Sequence, residues 1–377
     1  MKKVGKAFIF SFLVFHTCFS FGFIQNKNNS EWPYIINSDK SFDIVSKCEM
    51  LVFVEIFNEY AIIPENSYAK ILGVKNSYNV SIERWKKETK KRILFNFKQL
   101  SKESLQDVIK MSNVNSWEAI SKVEIEKVIQ NDLRDWYKRT KLFYKNYIKE
   151  QLRLAALYPR ITSEILQLSK NEIQGDNFAD KNFLLTFDDG PTKVNGNTDK
   201  LIEILDAHKL TGMFFVLGDN LEKRYKASSK SNLRTLYKNH SVYSHGKIHK
   251  SHQKYSSWRA SIDYTNALIN EVFDVKSENE FVYFRPPYGQ RNKKVVHYLE
   301  TKKTKLIFWN IDSRDWSSKL NAEQVANRQI KLMLLWRKGI LLFHDIHRKA
   351  QKSVPIIHEY FKNNSINWLK SNEVTFE

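Results

Sequence analysis

The N-terminal part of the chain, from about residue 25 to residue 175, has the spacing of apolar positions expected of helices. One stretch has apolar side chains at intervals of three, four and seven residues, which predicts a single helix face: Ile125, Ile129, Leu133, Trp136, Phe143 and Tyr147. Pro159 is expected to end or kink this run, because proline removes a backbone donor and crowds the preceding turn. We therefore predict a mainly α-helical domain over residues 23–175, with a boundary near Gly175.

Short, wholly apolar runs replace this pattern in the C-terminal half. They lie at residues 183–187, 213–217, 306–309 and 340–343. Runs of this kind are typical of parallel strands that are buried on both faces, and a helical pattern lies between the first two. Alternating strands and helices predict an α/β fold, either a barrel or a doubly wound sheet. In both architectures the functional side chains gather at the C-terminal ends of the strands.

The first 22 residues have the pattern of an export signal. Lysines precede an apolar run of suitable length, Ala7 to Phe15, and small residues permit cleavage after Ser20. We predict a signal peptide over residues 1–22, with the mature protein in the periplasm, at the cell surface or secreted. If this segment is not cleaved, it would anchor the chain to the membrane instead.

The length of 377 residues and the 42% of hydrophobic residues allow two domains with sizeable cores. Outside the predicted signal there is one cysteine, Cys48. A single thiol forms no intramolecular disulfide, and the apolar neighbours of Cys48 predict a position in the core.

The formal net charge is +20, from 61 Lys and Arg against 41 Asp and Glu. An excess of this size favours anionic partners, but a lysine-rich solvated surface has the same composition. A basic cluster at residues 84–92 leaves both interpretations open: a solvated helix face, or a contact with an anionic envelope surface. We expect no nucleic-acid partner, because the chain has no recognisable nucleic-acid-binding motif and begins with a predicted export signal.

Ionisable residues come directly after the predicted strands. Asp188 and Asp189 lie at the end of the first strand, and His344 lies at the end of the last. Between them lie His245 and His249, which would face the same way if their turn is helical. With one carboxylate they would form a three-ligand metal site with an open position, as catalytic metal sites have. Each feature alone also fits an ordinary turn, a surface histidine or a buried pair, so the prediction rests on the set and its placement.

These residues lie in five segments that resemble the motifs of the polysaccharide deacetylases, carbohydrate esterase family four, with its NodB-like domain. The segments occur in the order that the family has: Thr186–Pro191, His245–His249, Phe284–Gly289, Asp312–Trp316 and Gly339–Asp345. The resemblance implies a distorted (β/α) barrel over residues 176–377. It also implies hydrolysis of the N-acetyl group of a sugar within a polymer.

The resemblance further implies one divalent metal ion, bound by Asp189, His245 and His249. The ligands suit Zn²⁺ first, while Co²⁺, Ni²⁺ and Fe²⁺ remain alternatives. The chain departs from the family at Gly246, where Ser or Thr is usual. His252 and His347 lie close in the sequence and are alternative ligands. A further histidine, His240, falls where the family often has one.

The catalytic roles that the resemblance implies fall on five residues. Asp188 would be the general base, kept ionised by Arg285. His344 would protonate the leaving nitrogen, with Asp312 as the carboxylate that orients it, while Asp315 is expected to have a structural role instead. The backbone N–H of Tyr288 would help to stabilise the oxyanion.

The sequence therefore predicts an exported, metal-dependent carbohydrate N-deacetylase, a hydrolase of non-peptide carbon–nitrogen bonds. Its expected substrate is an acetylated polysaccharide, with the N-acetylglucosamine units of peptidoglycan or a related envelope polysaccharide as the first choice. Two alternatives are a catalytically silent glycan-binding relative and a hydrolase of the same fold that acts on another amide. The identity of the glycan and the role of the helical domain are left open.

Overall fold

The computed structural model describes residues 32–33, 36–111, 114–158, 167–274, 282–371, 374 and 376. The predicted export signal and Pro159 therefore lie outside the described residues. Among the helices of the described part, none has the combination of length and apolar character that spanning a bilayer requires.

The chain ahead of the sheet is helical, as its pattern predicts. Its helices are α1 (Asp39–Ala61), α2 (Tyr68–Leu72), α3 (Asn79–Phe97), α4 (Lys102–Gln106), α5 (Trp117–Ser121), α6 (Ile125–Val128) and α7 (Arg134–Leu157). Helix α1 starts at a capping box, in which Ser38 and Ser41 satisfy each other's backbone N–H groups. Of the 23 residues of α1, 14 are buried, including Cys48 in its predicted core position.

The apolar positions from Ile125 to Tyr147 do not share one helix, and that prediction is wrong. Helix α6 ends at Val128, Ile129 has an extended backbone with ψ of 137°, and a 3-10 turn precedes α7. Ile129 and Leu133 are nevertheless buried. The spacing identified inward-facing side chains correctly, but a bent connection directs them inward as well as a helix would.

The C-terminal half forms one sheet of parallel strands. The strands are β1 (Glu172–Ile173), β2 (Asn182–Asp188), β3 (Met213–Val216), β4 (Ser241–Ser244), β5 (Val282–Phe284), β6 (Thr304–Ile307), β7 (Ile311–Asp312), β8 (Gly339–His344) and β9 (Asn367–Trp368). The helices of this half are α8 (Asn197–Ala207), α9 (Gly218–Ala227), α10 (Lys230–Leu236), α11 (Trp258–Phe273), α12 (Lys293–Thr301), α13 (Ala322–Trp336) and α14 (Arg348–Phe361).

The strand order distinguishes a barrel from a doubly wound sheet. The order is β1-β6-β5-β4-β3-β2-β8-β7, with β9 also on β2, and every pair is parallel. Strands β2 to β6 therefore follow one another in sequence order, without the reversal that marks a doubly wound sheet. The early strand β2 pairs with the late strand β8, from Phe183 opposite Gly339 to Asp188 opposite His344. The fold is a distorted, open (β/α) barrel, as predicted.

The predicted strands lie where the apolar runs placed them, with one difference at the third. Strand β6 ends at Ile307, although Phe308 and Trp309 continue the apolar run and are buried. The carbonyl groups of Ile307 and Phe308 accept hydrogen bonds from Arg285 inside the barrel. The run therefore marks burial, while the strand ends where the backbone bonds to a side chain.

The helical region and the barrel share a hydrophobic core, and charged groups are buried where they meet. Lys331 of α13 lies 2.8 Å from the Glu49 carboxylate of α1, and both side chains are fully buried. Lys331 also donates to Thr140 at 2.7 Å. Glu49 accepts hydrogen bonds from Trp136 at 3.2 Å and from Tyr144 at 2.7 Å. Each buried charge is thus both paired and hydrogen-bonded, which offsets the cost of removing it from water.

The Lys331→Met variant is expected to lower the free energy of unfolding by about 3–5 kcal/mol, because it leaves the Glu49 carboxylate buried without its cation. Urea unfolding measures this loss. The control is Lys145→Met, which removes a pair with Glu59 whose side chains are both 45% exposed and should cost less than about 1 kcal/mol. Equal losses of unfolding free energy in the two variants would contradict a stabilising role for the buried pair of Lys331 and Glu49.

Candidate active site

The residues singled out from the sequence meet at the C-terminal edge of the sheet. Asp188 and His344 are register partners on β2 and β8. Strands β4 and β5 end on the paired residues Ser244 and Phe284, so His245 and Arg285 leave the sheet side by side. Parallel strands place these four positions at one end of the barrel, where the fold gathers functional groups.

Asp188 and Asp189 both face this edge, although neighbouring residues of a strand normally point to opposite faces. The backbone of Asp189 has a φ of +80°, a conformation that side-chain-bearing residues rarely adopt. The result is that Asp188 Oδ2 lies 3.7 Å and Asp189 Oδ1 lies 3.5 Å from the same atom, His245 Nε2. The unusual backbone at Asp189 therefore lets two adjacent carboxylates serve one site.

Asp189, His245 and His249 form a candidate metal centre. His249 Nε2 lies 3.5 Å from Asp189 Oδ1, and one ligand atom from each residue lies within 4.8 Å of the others. Asp189 Oδ1 is buried and makes no hydrogen bond within the described part of the chain. A divalent cation would satisfy this oxygen, and two imidazoles with one carboxylate are a donor set that zinc accepts.

His245 is prepared for this role by its surroundings. Its Nδ1 atom lies 2.7 Å from the backbone oxygen of Arg285, which leaves Nε2 directed at the carboxylates. Burial lowers the pKa of His245 to about 3, so the imidazole is neutral, as a metal ligand must be. A second hydrogen bond that fixes the ring of a ligand histidine is common at metal sites.

Arg285 lies wholly inside the barrel and holds Asp188. Its Nη1 atom donates to Asp188 Oδ1 at 2.7 Å and to Thr186 Oγ1 at 2.8 Å. The guanidinium also lies 4.2 Å from the ring centre of Phe215. Burial raises the pKa of Asp188 above its ordinary value, while the charge of Arg285 opposes this rise. The predicted contact between Arg285 and Asp188 is therefore present, and it leaves Asp188 Oδ2 free of the guanidinium.

His344 faces Asp188 from β8 and is held by Asp315. The Nδ1 atom of His344 lies 2.8 Å from Asp315 Oδ1, and its backbone N–H donates to Asp315 Oδ2 at 2.9 Å. Burial lowers the pKa of His344, but Asp315 first, and then Asp188 and Asp189, outweigh it and raise the pKa to about 10. The imidazole is therefore protonated at neutral pH.

The sequence analysis assigned this orienting role to Asp312, and the structure corrects it. Asp312 ends strand β7, and its Oδ1 atom accepts the backbone N–H of Arg314 at 2.8 Å. Arg314 has a φ of +55°, and the turn that it makes brings Asp315 against β8. Two carboxylates close to one strand end cannot be told apart in sequence, because the turn between them decides which one reaches His344.

The barrel region has relatives among known proteins. Residues 175–307 match the family model described as polysaccharide deacetylase. This region of the chain is therefore similar to the polysaccharide deacetylases. The domain is similar to a peptidoglycan-N-acetylglucosamine deacetylase of Bacillus cereus, with 28% identity over 144 residues, which are 38% of this chain and 49% of the relative.

A bifunctional xylanase/xylan deacetylase of Cellvibrio japonicus is 29% identical over 162 residues, which are 43% of this chain and 22% of that protein. The chain thus spans about half the length of these curated relatives or less. Among solved structures, the Bc1960 peptidoglycan N-acetylglucosamine deacetylase has 21% identity and a TM-score of 0.44, over 51% of this chain and 86% of that one.

The two histidines of the candidate metal centre meet through a loop, not through the helical turn that the sequence analysis considered. Residues 245–250 have no helical structure, and Gly246 has a φ of +80°. A Cβ atom on Gly246 would lie 2.6 Å from His252 Cε1 and 3.0 Å from Ser261 Oγ. His252 and Ser261 thus occupy the space that a side chain at position 246 would need, which gives the glycine at this position a steric reason.

The remaining histidines that the sequence analysis considered have other surroundings. His252 is buried, with Nδ1 3.0 Å from the oxygen of Lys250, and it supports the loop from outside the group of ligand atoms. His240 precedes β4 and accepts the N–H of Gly212 at 3.0 Å, at the opposite end of the strand from His245. In the described residues, the group that could hold a metal contains neither of these two nor His347.

Two aromatic side chains lie exposed beside the site. The ring of Tyr288 is 4.2 Å from that of His249, and its backbone has a φ of +61° within a 3-10 turn. Trp316 comes directly after Asp315. Tyr288 is 54% exposed and Trp316 is 51% exposed, so neither is a core residue, and both can meet a polymer.

The Gly246→Ser variant is expected to lower the free energy of unfolding by about 2–4 kcal/mol, from backbone strain and from crowding of His252, and to weaken zinc binding. Urea unfolding and zinc titration measure these effects. Gly73→Ser is the control, because Gly73 also has a positive φ, of +63°, but has open space around it. If the two variants lose equal stability, strain alone acts and His252 does not crowd position 246.

Proposed function

We propose that this protein is an exported, metal-dependent N-deacetylase of an envelope polysaccharide, with the N-acetylglucosamine units of peptidoglycan as the first candidate substrate. The observation that carries the proposal is the arrangement of Asp188 and His344 around the candidate metal centre. The Asp188 carboxyl group, which Arg285 contacts, and the His344 imidazolium face the same space from paired positions on β2 and β8. Hydrolysis of an amide requires such a base and such an acid on two sides of one carbonyl.

The proposed metal ion is held by Asp189, His245 and His249. Bound there, a divalent ion, zinc first and Co²⁺, Ni²⁺ or Fe²⁺ as alternatives, supplies Lewis acidity for the acetyl carbonyl and for the attacking water. Asp188 accepts the proton of that water at Oδ2, since Oδ1 is occupied by Arg285. The rise in the pKa of Asp188 on burial makes it a stronger base than an ordinary carboxylate.

The proton for the leaving amine comes from His344. Because Asp315 holds Nδ1, the transferable proton is on Nε2, and the raised pKa keeps it there until the carbon–nitrogen bond breaks. The backbone N–H of Tyr288 is the proposed donor to the oxyanion. Acetate and the free amino sugar are the products; Asp188 releases to solvent the proton that it took from the water, and His344 regains its proton from solvent.

The cellular setting and the substrate are inferred from several weaker features. Residues 1–22 have the pattern of an export signal, and the charge of +20 suits an anionic envelope surface. Similar curated proteins are named as deacetylases of peptidoglycan, of xylan and of chitooligosaccharides. An exported deacetylase with a basic surface would meet peptidoglycan first, so we place it before the other glycans.

The proposal is tested by acetate release from peptidoglycan and chitin oligomers, using protein that lacks residues 1–22, with and without chelator. We expect chelator-sensitive acetate from at least one glycan. Asp188→Asn should abolish turnover and keep zinc, whereas His245→Ala should lose zinc, because only the second change removes a ligand.

Each other outcome points to a different error. Turnover by Asp188→Asn would reject the assignment of the base. Full zinc occupancy without acetate from any glycan would favour the silent glycan-binding alternative or a different amide substrate. Absence of both acetate and bound zinc would reject the site itself.

Asp315→Asn is expected to lower kcat by about a hundredfold or more, because the amide no longer stabilises the imidazolium of His344. Asp312→Asn is the matched control, a change of the same kind three positions earlier that leaves the contact with His344 in place, and it should have the smaller effect on kcat. Zinc content should stay the same in both variants. A larger loss in Asp312→Asn would reverse the assignment.

A further inference from the structure

A carboxylate of the helical region reaches the loop that carries the partner of His344. Glu150 lies in the C-terminal part of α7, and its two carboxylate oxygens accept hydrogen bonds from two different arginines. Oε2 lies 3.0 Å from Arg314 Nη1, and Oε1 lies 3.1 Å from Arg328 Nη2. Arg314 belongs to the loop of residues 312–316, and Arg328 belongs to α13. One side chain outside the matched family region thus bridges two elements of the barrel.

Both arginines also bond to Asp312, at the start of this loop. Arg328 donates through Nε to the backbone oxygen of Asp312 at 2.8 Å, and the backbone N–H of Arg314 donates to its carboxylate at 2.8 Å. The loop then returns to β8, where the carboxylate of Asp315 accepts the backbone N–H of His344 and contacts Nδ1 of its ring. Glu150 therefore contacts Arg314, the residue directly before Asp315, and lies one contact from Asp312 at the start of the turn.

Charge and burial make this bridge more than a surface ion pair. The side chain of Arg328 is 8% exposed, that of Glu150 is 23% exposed and that of Arg314 is 32% exposed. Two guanidinium groups this close repel each other unless an anion lies between them. Arg314 also has a left-handed backbone, which the surrounding contacts must hold in place.

The bridge extends to an exposed aromatic side chain. The guanidinium of Arg314 lies 5.5 Å from the ring centre of Trp316, within the range of a cation–π contact. Trp316 is half exposed next to the site. The position of Arg314 thus affects both the turn that leads to Asp315 and the ring beyond it.

We propose that the helical region is a working part of the deacetylase site, with Glu150 as a positioning residue that fixes the 312–316 loop. The inference builds on the proposed function, since that function assigns His344 and Asp315 their catalytic roles. The sequence left the role of the helical region open. By the proposal, this region keeps Asp315 and His344 in position relative to Asp188.

The test replaces Glu150 with Gln and observes Trp316 directly. Protein lacking residues 1–22 is labelled with 5-fluorotryptophan, and the Trp316 resonance is assigned with Trp316→Phe. Glu150→Gln should shift that ¹⁹F resonance, lower kcat by about tenfold or more and leave zinc affinity unchanged. Arg314→Gln should shift the same resonance, and the double variant should lose no more kcat than Arg314→Gln alone.

The control is Glu59→Gln. Glu59 of α1 forms an exposed ion pair with Lys145 of α7 at 3.3 Å, and its loss should change neither the Trp316 resonance nor kcat. Glu150→Asp keeps the negative charge, so its Trp316 resonance and its kcat should both lie closer to those of the unsubstituted protein than the values of Glu150→Gln do. An unchanged Trp316 resonance in Glu150→Gln would overturn the inference, whether or not any glycan is deacetylated. If Glu150→Gln shifts the resonance but the protein without this substitution releases no acetate from any glycan, the bridge is retained and the proposed function is rejected.

Discussion

The buried guanidinium of Arg285 connects the parts of the site to one another. It donates to Thr186 and Asp188 on β2 and to the backbone carbonyl groups at and just beyond the end of β6. The backbone carbonyl oxygen of Arg285 also contacts Nδ1 of His245 and so fixes that ring. A charge this deep is costly unless its donors are used. The requirement to satisfy Arg285 therefore sets the distance between the candidate base, the candidate metal centre and the end of β6.

The helical region meets the barrel through a similar use of buried charge. Glu49 and Lys331 form a fully buried pair between α1 and α13, and Glu150 lies between two arginines of the barrel. Helix α13 leads directly into β8 and His344. Contacts that hold α13 therefore also hold the strand that carries the candidate acid, which ties the packing of the helical region to the chemistry at the other end of the sheet.

The fold and much of the site could be predicted because they leave local signals. Buried parallel strands require unbroken apolar runs, and the residues at their C-terminal ends share one edge of the sheet, so Asp188, Asp189, His245 and His344 were placed together correctly. Predictions that depended on a turn were less successful. The spacing of His245 and His249 suggested a helical turn, but a loop at Gly246 with His252 behind it brings the two rings together.

The sequence by itself determined the α/β character of the C-terminal half, the helical character of the region before it and the set of ionisable groups at the sheet edge, and its motifs implied the barrel. These depend on periodicity and on motifs only a few residues long. Only the tertiary structure decided that Asp315 and not Asp312 holds His344, and that Glu150 reaches Arg314 of the same loop from 164 positions away. Such choices depend on backbone turns and on contacts between distant segments, for which neighbouring residues carry no pattern.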